Sequence, residues 1–444
     1  MEIEEKAMDL LRNHALCDHC LGRMFARYGR GLKNEERGKS IKAVLTMEAH
    51  NRIGEGGKED LQYIWKNGAY QPAANVIVFE GEKAEGSPLA CEICGGVLDH
   101  MDEAVKAALN ELSDLQWRTF LVATVGAEEI MVKEEKLAVD NGLQGYESIK
   151  WEINREVGKI LSQLTGKEVD LKNPDVLVQV HPLSMTVSLQ VSPIYVYGRY
   201  LKLERGIPQS KWVCSYCNGK GCPRCNYTGK KYPTSVEEEI ASALVPLARA
   251  SGDKFHAAGR EDVDARMLGS GRPFVMELES PKIREIDLSN AAEMIKQHSN
   301  GKVEVRELRL VGKDFVNKVK SEEKNKKVYE GEIESSETLT DEDVQVLNSS
   351  FNGLEITQRT PQRVSRRRAD LVRKKFIYEL KVEKISENEL KFYVQAEGGT
   401  YIKELISGDE GRTLPSLSSK IGKPLKCKQL DVMEVEVPFE SKGI

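Results

Sequence analysis

The sequence predicts a mixed α+β protein built from several domains. Its 444 residues exceed what one hydrophobic core usually organises. Six segments after residue 271 alternate apolar and polar residues as strands do, which indicates a large, mostly antiparallel sheet. A helix followed by two strands precedes them, and two groups of four cysteines mark further small units. We therefore expect an α/β N-terminal part and a larger C-terminal domain built on a sheet.

Composition restricts the class of protein. Hydrophobic residues make up 40% of the chain, and no apolar run approaches the roughly 18 residues of a membrane span. The N-terminus, MEIEEKAMDLL, is acidic and amphipathic, unlike a secretory signal. These features predict a cytoplasmic protein without membrane contact. The net charge of -5 argues against a uniformly basic nucleic-acid binder, but charge can be segregated along the chain.

Two Cys-x-x-Cys knuckles, CDHC and CEICGG, lie far apart in the first hundred residues. Each knuckle can offer two thiolates to one tetrahedral ion, and four thiolates complete a closed structural zinc shell. Free thiols or disulfide-bonded pairs are the alternatives, and disulfides are uncommon in a cytosolic chain. The predicted ligands are Cys17, Cys20, Cys91 and Cys94.

A second cysteine quartet occupies twelve residues, CSYCNGKGCPRC, with a short glycine-rich turn between its two knuckles. This spacing is typical of a zinc ribbon. Neither quartet includes a histidine or carboxylate that leaves a coordination position open, so both zinc sites are predicted to be structural. The predicted ligands of the ribbon are Cys214, Cys217, Cys222 and Cys225.

The segment before the ribbon has the order helix, strand, strand. ESIKWEINREVGKILSQLTG repeats apolar residues with a helical period, while DVLVQV and SMTVSLQVS are strand-like. This order resembles the THUMP domain, an RNA-binding module, and a generic α/β sandwich is the alternative. We divide the chain into residues 1–60 with the first zinc knuckle, 61–198 as the THUMP-like domain with the second, 199–232 as the ribbon, and 233–444 as the C-terminal domain.

The last third of the chain concentrates positive charge. TQRTPQRVSRRRADLVRKKF, residues 357–376, contains eight arginines and lysines against one acid, Asp370. Such a cationic run repels itself unless an anion relieves the repulsion, which favours contact with phosphates; a merely solvated segment is the alternative. The predicted RNA-binding residues are Arg363, Arg366, Arg367, Arg368 and Arg373.

The stretch GREDVDARMLGSGRPF, residues 259–274, places three carboxylates among three arginines, in a loop before an apolar strand. Such carboxylates could bind a divalent cation, act as a paired acid and base, serve as a lone aspartate nucleophile, or form a structural salt-bridge loop. The arginines would repel a cation, and no second carboxylate motif indicates an acid–base partner. A single aspartate nucleophile fits the stretch best.

Three motifs carry a family resemblance. Arg260-Glu261-Asp262 resembles the Arg-x-Asp core of pseudouridine synthases, and the whole stretch is similar to the signature of the archaeal and eukaryotic tRNA pseudouridine synthases that modify uridines 54 and 55. KVYEGEI resembles the second synthase motif through its tyrosine. GGTYIKELISGDEGRT resembles the third motif, Gly-Thr-Tyr-Ile followed by a basic residue, which is arginine in several families and lysine here. The cysteine knuckles and the THUMP-like segment extend the resemblance over nearly the whole chain.

The resemblance implies that residues 233–444 form a pseudouridine-synthase-fold catalytic domain that acts on tRNA. The implied catalytic residue is Asp262, and Asp264 is expected to hold Arg266 or the loop. The implied substrate-binding residues are Arg260, Tyr329, Tyr401 and Lys403. The reaction involves no net redox change, so no catalytic cofactor is expected beside structural zinc, and no protein partner is predicted. A non-enzymatic, zinc-containing RNA-binding protein is the alternative function.

Replacement of Arg366, Arg367 and Arg368 by alanine is expected to weaken tRNA binding about equally for all sequences. Phosphate contacts release counterions rather than read bases, so the log–log dependence of affinity on salt should become less steep by roughly 0.7 to 0.9 per lost contact. Fluorescence anisotropy at several salt concentrations measures this slope. An unchanged slope would mean that the run is a solvated segment.

Overall fold

The computed structural model of the protein describes residues 3–321, 325–365 and 369–436. The chain divides into two compact units, Met1–Ser192 and Pro193–Ile444, each with its own hydrophobic core. Among the helices within the described ranges, none combines the length and apolar character needed to cross a bilayer. The three central arginines of the basic run, residues 366–368, lie outside the described residues, so their contact with RNA stays a prediction.

The first unit is largely helical and carries one small sheet. Its helices are α1 (Ile3–Asn13), α2 (Asp18–Met24), α3 (Asn34–Asn51), α4 (Lys58–Lys66), α5 (Gln71–Phe79), α6 (Met101–Leu112), α7 (Glu128–Asp140) and α8 (Ile149–Thr165). Its strands are β1 (Thr119–Thr124), β2 (Glu168–Val169), β3 (Val176–His181) and β4 (Thr186–Val191).

The sheet of the first unit has the order β2-β1-β3-β4, with β1 parallel to both neighbours and β3 antiparallel to β4. Buried residues recur every third or fourth position of α8, and α8 contacts β1. Burial alternates along β3, as the two-residue period of a strand requires. The predicted order of one helix and two strands is therefore present as α8, β3 and β4.

The second unit is built around strands. Its strands are β5 (Ile194–Lys202), β6 (Gly252–Ala257), β7 (Arg266–Glu279), β8 (Val303–Val311), β9 (Lys327–Ser335), β10 (Leu354–Arg359), β11 (Val372–Lys384), β12 (Glu389–Ala396), β13 (Thr413–Leu414) and β14 (Leu425–Val435). Its helices are α9 (Val236–Ala248), α10 (Ala291–His298), α11 (Asp314–Ser321), α12 (Asp341–Ser350), α13 (Ile402–Ser407) and α14 (Leu417–Ile421).

One ten-stranded sheet organises the described part of this unit. Its order is β13-β10-β11-β12-β9-β14-β7-β5-β8, with β6 beside β7. The pairs are antiparallel apart from β14 and β7, which run parallel. This confirms the large, mostly antiparallel sheet expected from the six alternating segments, with further strands added to it.

Strand β5 crosses the domain boundary drawn from the sequence. The ribbon was expected to begin at residue 199, whereas β5 continues to Lys202 and pairs with both β7 and β8. All nine residues of β5 are buried, because both faces of the strand are covered. Its sequence, IYVYGRYLK, consequently shows no alternation that could mark it as a half-exposed strand. The ribbon is thus inserted between β5 and α9 of a single unit.

Helix α9 begins after Ser235, whose side chain caps its first turn. The Ser235 hydroxyl accepts a hydrogen bond from the backbone N–H of Glu238 at 3.3 Å and donates one to the Glu238 carboxylate at 2.9 Å. The helix then buries one face against the core of the second unit. The chain leaves α9 through β6 and enters the loop of residues 258–265, which precedes β7.

Candidate active site

The second unit contains an open cleft of about 290 Å³. The loop before β7, the start of β9, the start of α13, the segment after β10 and the middle of β14 line it. These segments are far apart in the sequence and meet around one space. Six residues that the sequence singled out lie along the cleft: Arg260, Asp262, Tyr329, Arg363, Tyr401 and Lys403.

Asp262 offers a partly exposed carboxylate to the cleft. Its side chain is 34% exposed, and two cations orient it. Arg363 Nη1 donates a hydrogen bond to Asp262 Oδ1 at 3.0 Å, and Lys403 Nζ lies 3.5 Å from Oδ2. The carboxylate is therefore held by two other segments of the chain and is still reachable by a ligand in the cleft.

Arg363 was predicted to bind RNA, and the structure places it beside Asp262. Its Nε also donates to the buried carboxylate of Glu404 at 2.6 Å. Partial burial works against the charge of Arg363, but the hydrogen bond to Glu404 and the attraction of Asp262 raise its pKa above the ordinary value. Arg363 is thus a fixed, positively charged fork between two carboxylates.

Lys403 approaches Asp264 more closely than Asp262, with Nζ 2.7 Å from Asp264 Oδ2. Burial opposes the charge of Asp264, but the hydrogen bond and attraction of Lys403 lower its pKa overall. Asp264 was expected to hold Arg266 or the loop, and of these two contacts the one with Arg266 is wrong. Arg266 instead donates to both oxygens of Asp431, at 3.0 and 2.7 Å, because these two residues face each other in the parallel pair of β7 and β14.

Buried side chains fix the backbone of the Asp262 loop. The Lys202 ammonium donates to the carbonyl oxygens of Asp262 at 3.0 Å and Ile207 at 2.8 Å. The Gln209 amide donates to the carbonyl oxygen of Gly259 at 3.0 Å. Since carbonyl groups of the loop are bound from the protein side, the main chain at Asp262 has a fixed position.

Glu261 is buried beside the cleft and carries the strongest charge network of the site. Its carboxylate accepts hydrogen bonds from Arg272 Nε at 2.9 Å and from the Tyr200 hydroxyl at 2.8 Å, and Lys202 Nζ lies 3.6 Å away. Burial raises the pKa of Glu261, but Arg272 and Lys202 outweigh it, so the pKa is lowered. Burial beside this carboxylate raises the pKa of Tyr200 well above its ordinary value. Glu261 is therefore an anchor of the loop.

The two predicted tyrosines differ in accessibility. Tyr329 is only 8% exposed. Burial raises its pKa to about 12; the positive charge of Arg272 lowers the pKa, and the negative charge of Asp262 raises it. Its hydroxyl is therefore neutral at physiological pH, and little of its ring is open to a base in this conformation. Tyr401 is half-buried at the start of α13, where the Gln358 amide accepts from its N–H at 2.9 Å and donates to its carbonyl at 3.0 Å.

Acids from neighbouring strands neutralise part of the basic run. Lys374 pairs with Glu355 at 2.8 Å and Lys375 with Glu397 at 2.8 Å, both outside the run itself. Arg373 is half-buried in β11 and donates to a threonine hydroxyl at 3.0 Å. In the described part of the run, more of the positive charge is therefore neutralised than the sequence indicates. The RNA contact of Arg373 stays a prediction.

Only some of the residues that support Asp262 could be predicted from the sequence. Arg272 begins the apolar segment RPFVMEL, and a charged residue at the edge of a buried strand indicates a buried partner. Glu261 lies inside the same quoted stretch. Lys202 ends a fully buried strand, and Glu404 follows the third motif, but neither has a spacing that could be read from the sequence.

The eight predicted cysteine ligands converge into two groups. In the described residues these groups are Cys17, Cys20, Cys91 and Cys94, and Cys214, Cys217, Cys222 and Cys225. Each group keeps its sulfur atoms within 4.8 Å of one another, for example 3.6 Å between Cys17 and Cys94 and 3.7 Å between Cys222 and Cys225. Four sulfurs bound tetrahedrally at about 2.3 Å from an ion lie roughly 3.8 Å apart, whereas a disulfide requires about 2.05 Å. Each group could therefore hold one metal ion.

Families of known proteins match both units. The family described as "Pus10, C-terminal" matches residues 195–436, more than half of the chain. The family described as "Pus10 THUMP domain, archaeal" matches residues 104–181. The chain belongs to the Pus10 family. The family predicted from the loop motif and the THUMP domain predicted from α8, β3 and β4 are confirmed.

Full-length Pus10 relatives align over nearly the whole chain. The tRNA pseudouridine synthase Pus10 of Methanothrix thermoacetophila is 40% identical over 431 residues, which cover 97% of this chain and 93% of the relative. The protein of the same name from Methanopyrus kandleri is 41% identical over 435 residues, or 97% and 98%. The solved structure "Crystal Structure of a Cbf5-Nop10-Gar1 Complex" aligns over 53% of this chain and 47% of its own, with 17% identity and a TM-score of 0.30, too weak a likeness to bear on function.

In this Pus10-family protein, Glu261→Gln is expected to lower the free energy of unfolding by about 3 kcal/mol, because it leaves the buried Arg272 beside a neutral amide. Glu355→Gln is the matched control. It removes the exposed pair with Lys374 and should change the free energy by less than about 1 kcal/mol. Urea unfolding of both variants measures the difference. Equal effects would show that the buried pair contributes no more than a surface pair.

The purified protein is expected to carry two bound metal ions per chain, as inductively coupled plasma mass spectrometry would measure. Replacing Cys222 and Cys225 by serine should remove one ion, because hydroxyls do not replace thiolates in such a shell. Cys427→Ala is the control and should retain both ions, since this ninth cysteine lies outside the two groups. Less than one ion per chain, or disulfides in the reduced protein, would contradict the prediction.

Proposed function

We propose that this protein is a tRNA pseudouridine synthase in which Asp262 is the catalytic aspartate. The observation that supports this assignment is the carboxylate of Asp262, one-third exposed in the cleft and oriented by Arg363 and Lys403. Membership of the Pus10 family supports the reaction and the substrate class. Uridine 54, uridine 55 or both are the target positions that the family resemblance implies.

The three carboxylates of the loop are suited to different tasks. Glu261 is buried and bound by Arg272, so it cannot reach a ligand in the cleft. Asp264 forms a close ion pair with Lys403 and is otherwise exposed. Asp262 alone among the three combines access to the cleft with oriented cationic partners, which is what a nucleophilic carboxylate needs.

The chemistry proposed for the cleft is an isomerisation. The bond between ribose C1′ and uracil N1 breaks, the base turns, and a bond from C1′ to uracil C5 forms, while the proton on C5 is lost and N1 gains one. The Asp262 carboxylate either adds to the substrate or removes a proton from the ribose, and it is regenerated at the end. Since no electrons are gained or lost overall, the described residues of the cleft need no redox cofactor.

The uridine must leave its stack before Asp262 can reach it. Tyr401 is the more accessible aromatic ring along the cleft, and Arg260 and Lys403 supply positive charge for the phosphates of the extruded nucleotide. The THUMP domain is proposed to contribute further RNA contacts. The cytoplasmic location predicted for a protein acting on tRNA stays a prediction.

Zinc is the metal proposed for both cysteine groups. Four soft thiolate ligands in a tetrahedral arrangement suit this ion, and a full set of protein ligands leaves no open position for a substrate. Backbone N–H groups support the sulfurs, as from Gly96 to Cys94 at 3.4 Å and from Gly229 to Cys225 at 3.3 Å. The role of the ions is therefore structural.

Asp262→Asn is expected to reduce pseudouridine formation to background, at least about a thousandfold, because the amide is too weak a nucleophile or base to replace the carboxylate. Affinity for tRNA should change little. Asp264→Asn is the matched control and should retain measurable turnover. Tritium release from tRNA labelled at uracil C5 measures the reaction. If Asp262→Asn stays near wild type, or Asp264→Asn alone is inactive, the catalytic carboxylate has been assigned wrongly.

A further inference from the structure

The ribbon segment has a charge unlike that of the rest of the chain. Between Glu204 and Glu237 the sequence contains six arginines and lysines and no carboxylate, whereas the whole chain has a net charge of -5. Four thiolates and one divalent ion would remove two of these positive charges. The segment therefore stays cationic with its metal bound, and an anionic partner would be attracted to it.

Aromatic rings are exposed on the same segment. Tyr216 is 65% exposed and Tyr227 is 75% exposed. The guanidinium of Arg224 lies over the ring of Tyr216, 4.2 Å from its centroid. Among the described residues, no carboxylate forms an ion pair with Arg224 or Lys220. Exposed aromatic rings beside unneutralised cations are the combination that binds unpaired nucleotides, through stacking on the bases and attraction to the phosphates.

Tyr227 combines an exposed ring with an unfavourable backbone conformation. Its φ is 58°, and the preceding Asn226 has a φ of 49°, so two consecutive residues other than glycine are left-handed. This conformation is unfavourable for a residue with a Cβ and is adopted by glycine without penalty. The ring gains little from burial in return. A large, strained and exposed side chain beside a metal group indicates a role in contact with a partner.

The ribbon is connected to the Asp262 loop by side-chain contacts within the second unit. The guanidinium of Arg260, which lines the cleft, lies 5.3 Å from the centroid of the Trp212 ring. Trp212 packs edge-to-face against Tyr232, and the Lys231 ammonium lies 5.0 Å from the centroid of Trp212 and 5.5 Å from that of Tyr232. Contacts between cations and aromatic rings thus connect Trp212 and Lys231 of the ribbon segment to Arg260 at the cleft.

We propose that the ribbon surface formed by Tyr216, Lys220, Arg224 and Tyr227 binds unpaired nucleotides of the RNA substrate adjacent to the one that enters the cleft. This inference rests on the proposed function in so far as the RNA is a tRNA. Stacking on two tyrosines tolerates any base, so the surface would contribute affinity and placement and would not select a sequence.

Binding of unmodified tRNA is measured in the Asp262→Asn background, so that no turnover alters the ligand. Replacement of both Tyr216 and Tyr227 by alanine should raise the dissociation constant at least about tenfold, because two base stacks are lost. Replacement of both by phenylalanine is the matched control. It retains the rings and should keep the dissociation constant within about twofold, with two metal ions bound in each variant.

Tyr227→Gly separates binding from folding. Glycine relieves the left-handed conformation, so the ribbon should keep its metal and unfold no earlier than wild type, while affinity for tRNA falls at least about threefold. A variant that binds less tightly without being less stable has lost a contact with RNA. If Tyr227→Gly and the double alanine variant both bind tRNA as wild type does, the proposal is overturned.

The cations of the ribbon give a second readout. Lys220→Ala and Arg224→Ala should each make the log–log salt dependence of tRNA affinity less steep by about one unit. Lys381→Ala removes an exposed lysine that already pairs with Glu379, and it should leave the slope unchanged. Full affinity and slope in the ribbon variants, with activity still abolished by Asp262→Asn, would reject the surface and keep the proposed function. Weakened binding in the ribbon variants, together with no synthase activity in the chain that retains Asp262, would keep the surface and reject the proposed function.

Discussion

The arrangement of the cleft depends on the buried contact between Glu261 and Arg272. A carboxylate inside a protein is unfavourable unless it is paired and hydrogen-bonded. Here Arg272 and Tyr200 donate hydrogen bonds to one oxygen of Glu261, and the Lys202 ammonium lies 3.6 Å from the other. Such a pair adds little net stability compared with apolar packing, but it penalises any arrangement that separates its members. Because Glu261 precedes Asp262 directly, fixing one residue inside the protein fixes the next one at the cleft. Rigidity at this point is what a reaction with a positioned aspartate requires.

The charges of the cleft form two ion-pair groups that meet at Asp262. Arg363 bridges Asp262 and the buried Glu404, and Lys403 bridges Asp262 and Asp264. Each cation thus has a second carboxylate partner, which would remain if Asp262 bound a ligand instead. A ligand that binds Asp262 would leave neither cation unpaired. A ligand could therefore bind at Asp262 without large rearrangement of these two cations.

The two cysteine groups could stabilise parts of the chain by binding metal ions. The ribbon is too short for a hydrophobic core, so a bound ion would supply the stability that apolar burial cannot. A short segment that is stabilised by a metal ion can leave its aromatic side chains exposed. Without the ion, a segment of this length would have to bury those side chains to form a core. In the ribbon, Tyr216 and Tyr227 are accordingly exposed rather than packed inward. The first group closes a long stretch of the N-terminal unit by joining knuckles that lie more than seventy residues apart.

Local patterns allowed the sequence by itself to determine much of this protein. The period of α8, the alternation of β3 and the spacing of the cysteines within each knuckle depend on neighbouring residues, so these elements and the pairs of ligands could be predicted. The family followed from contiguous motifs, and the same motifs predict Asp262 as the catalytic residue. Strand β5 was not predicted, because a strand that is buried on both faces does not alternate apolar and polar residues. The partners of Asp262 were decided only by the tertiary structure. Arg363 and Lys403 are more than a hundred residues from Asp262 in the chain, and an ion pair depends on which groups the fold brings together and which of them it removes from water, neither of which is a local property.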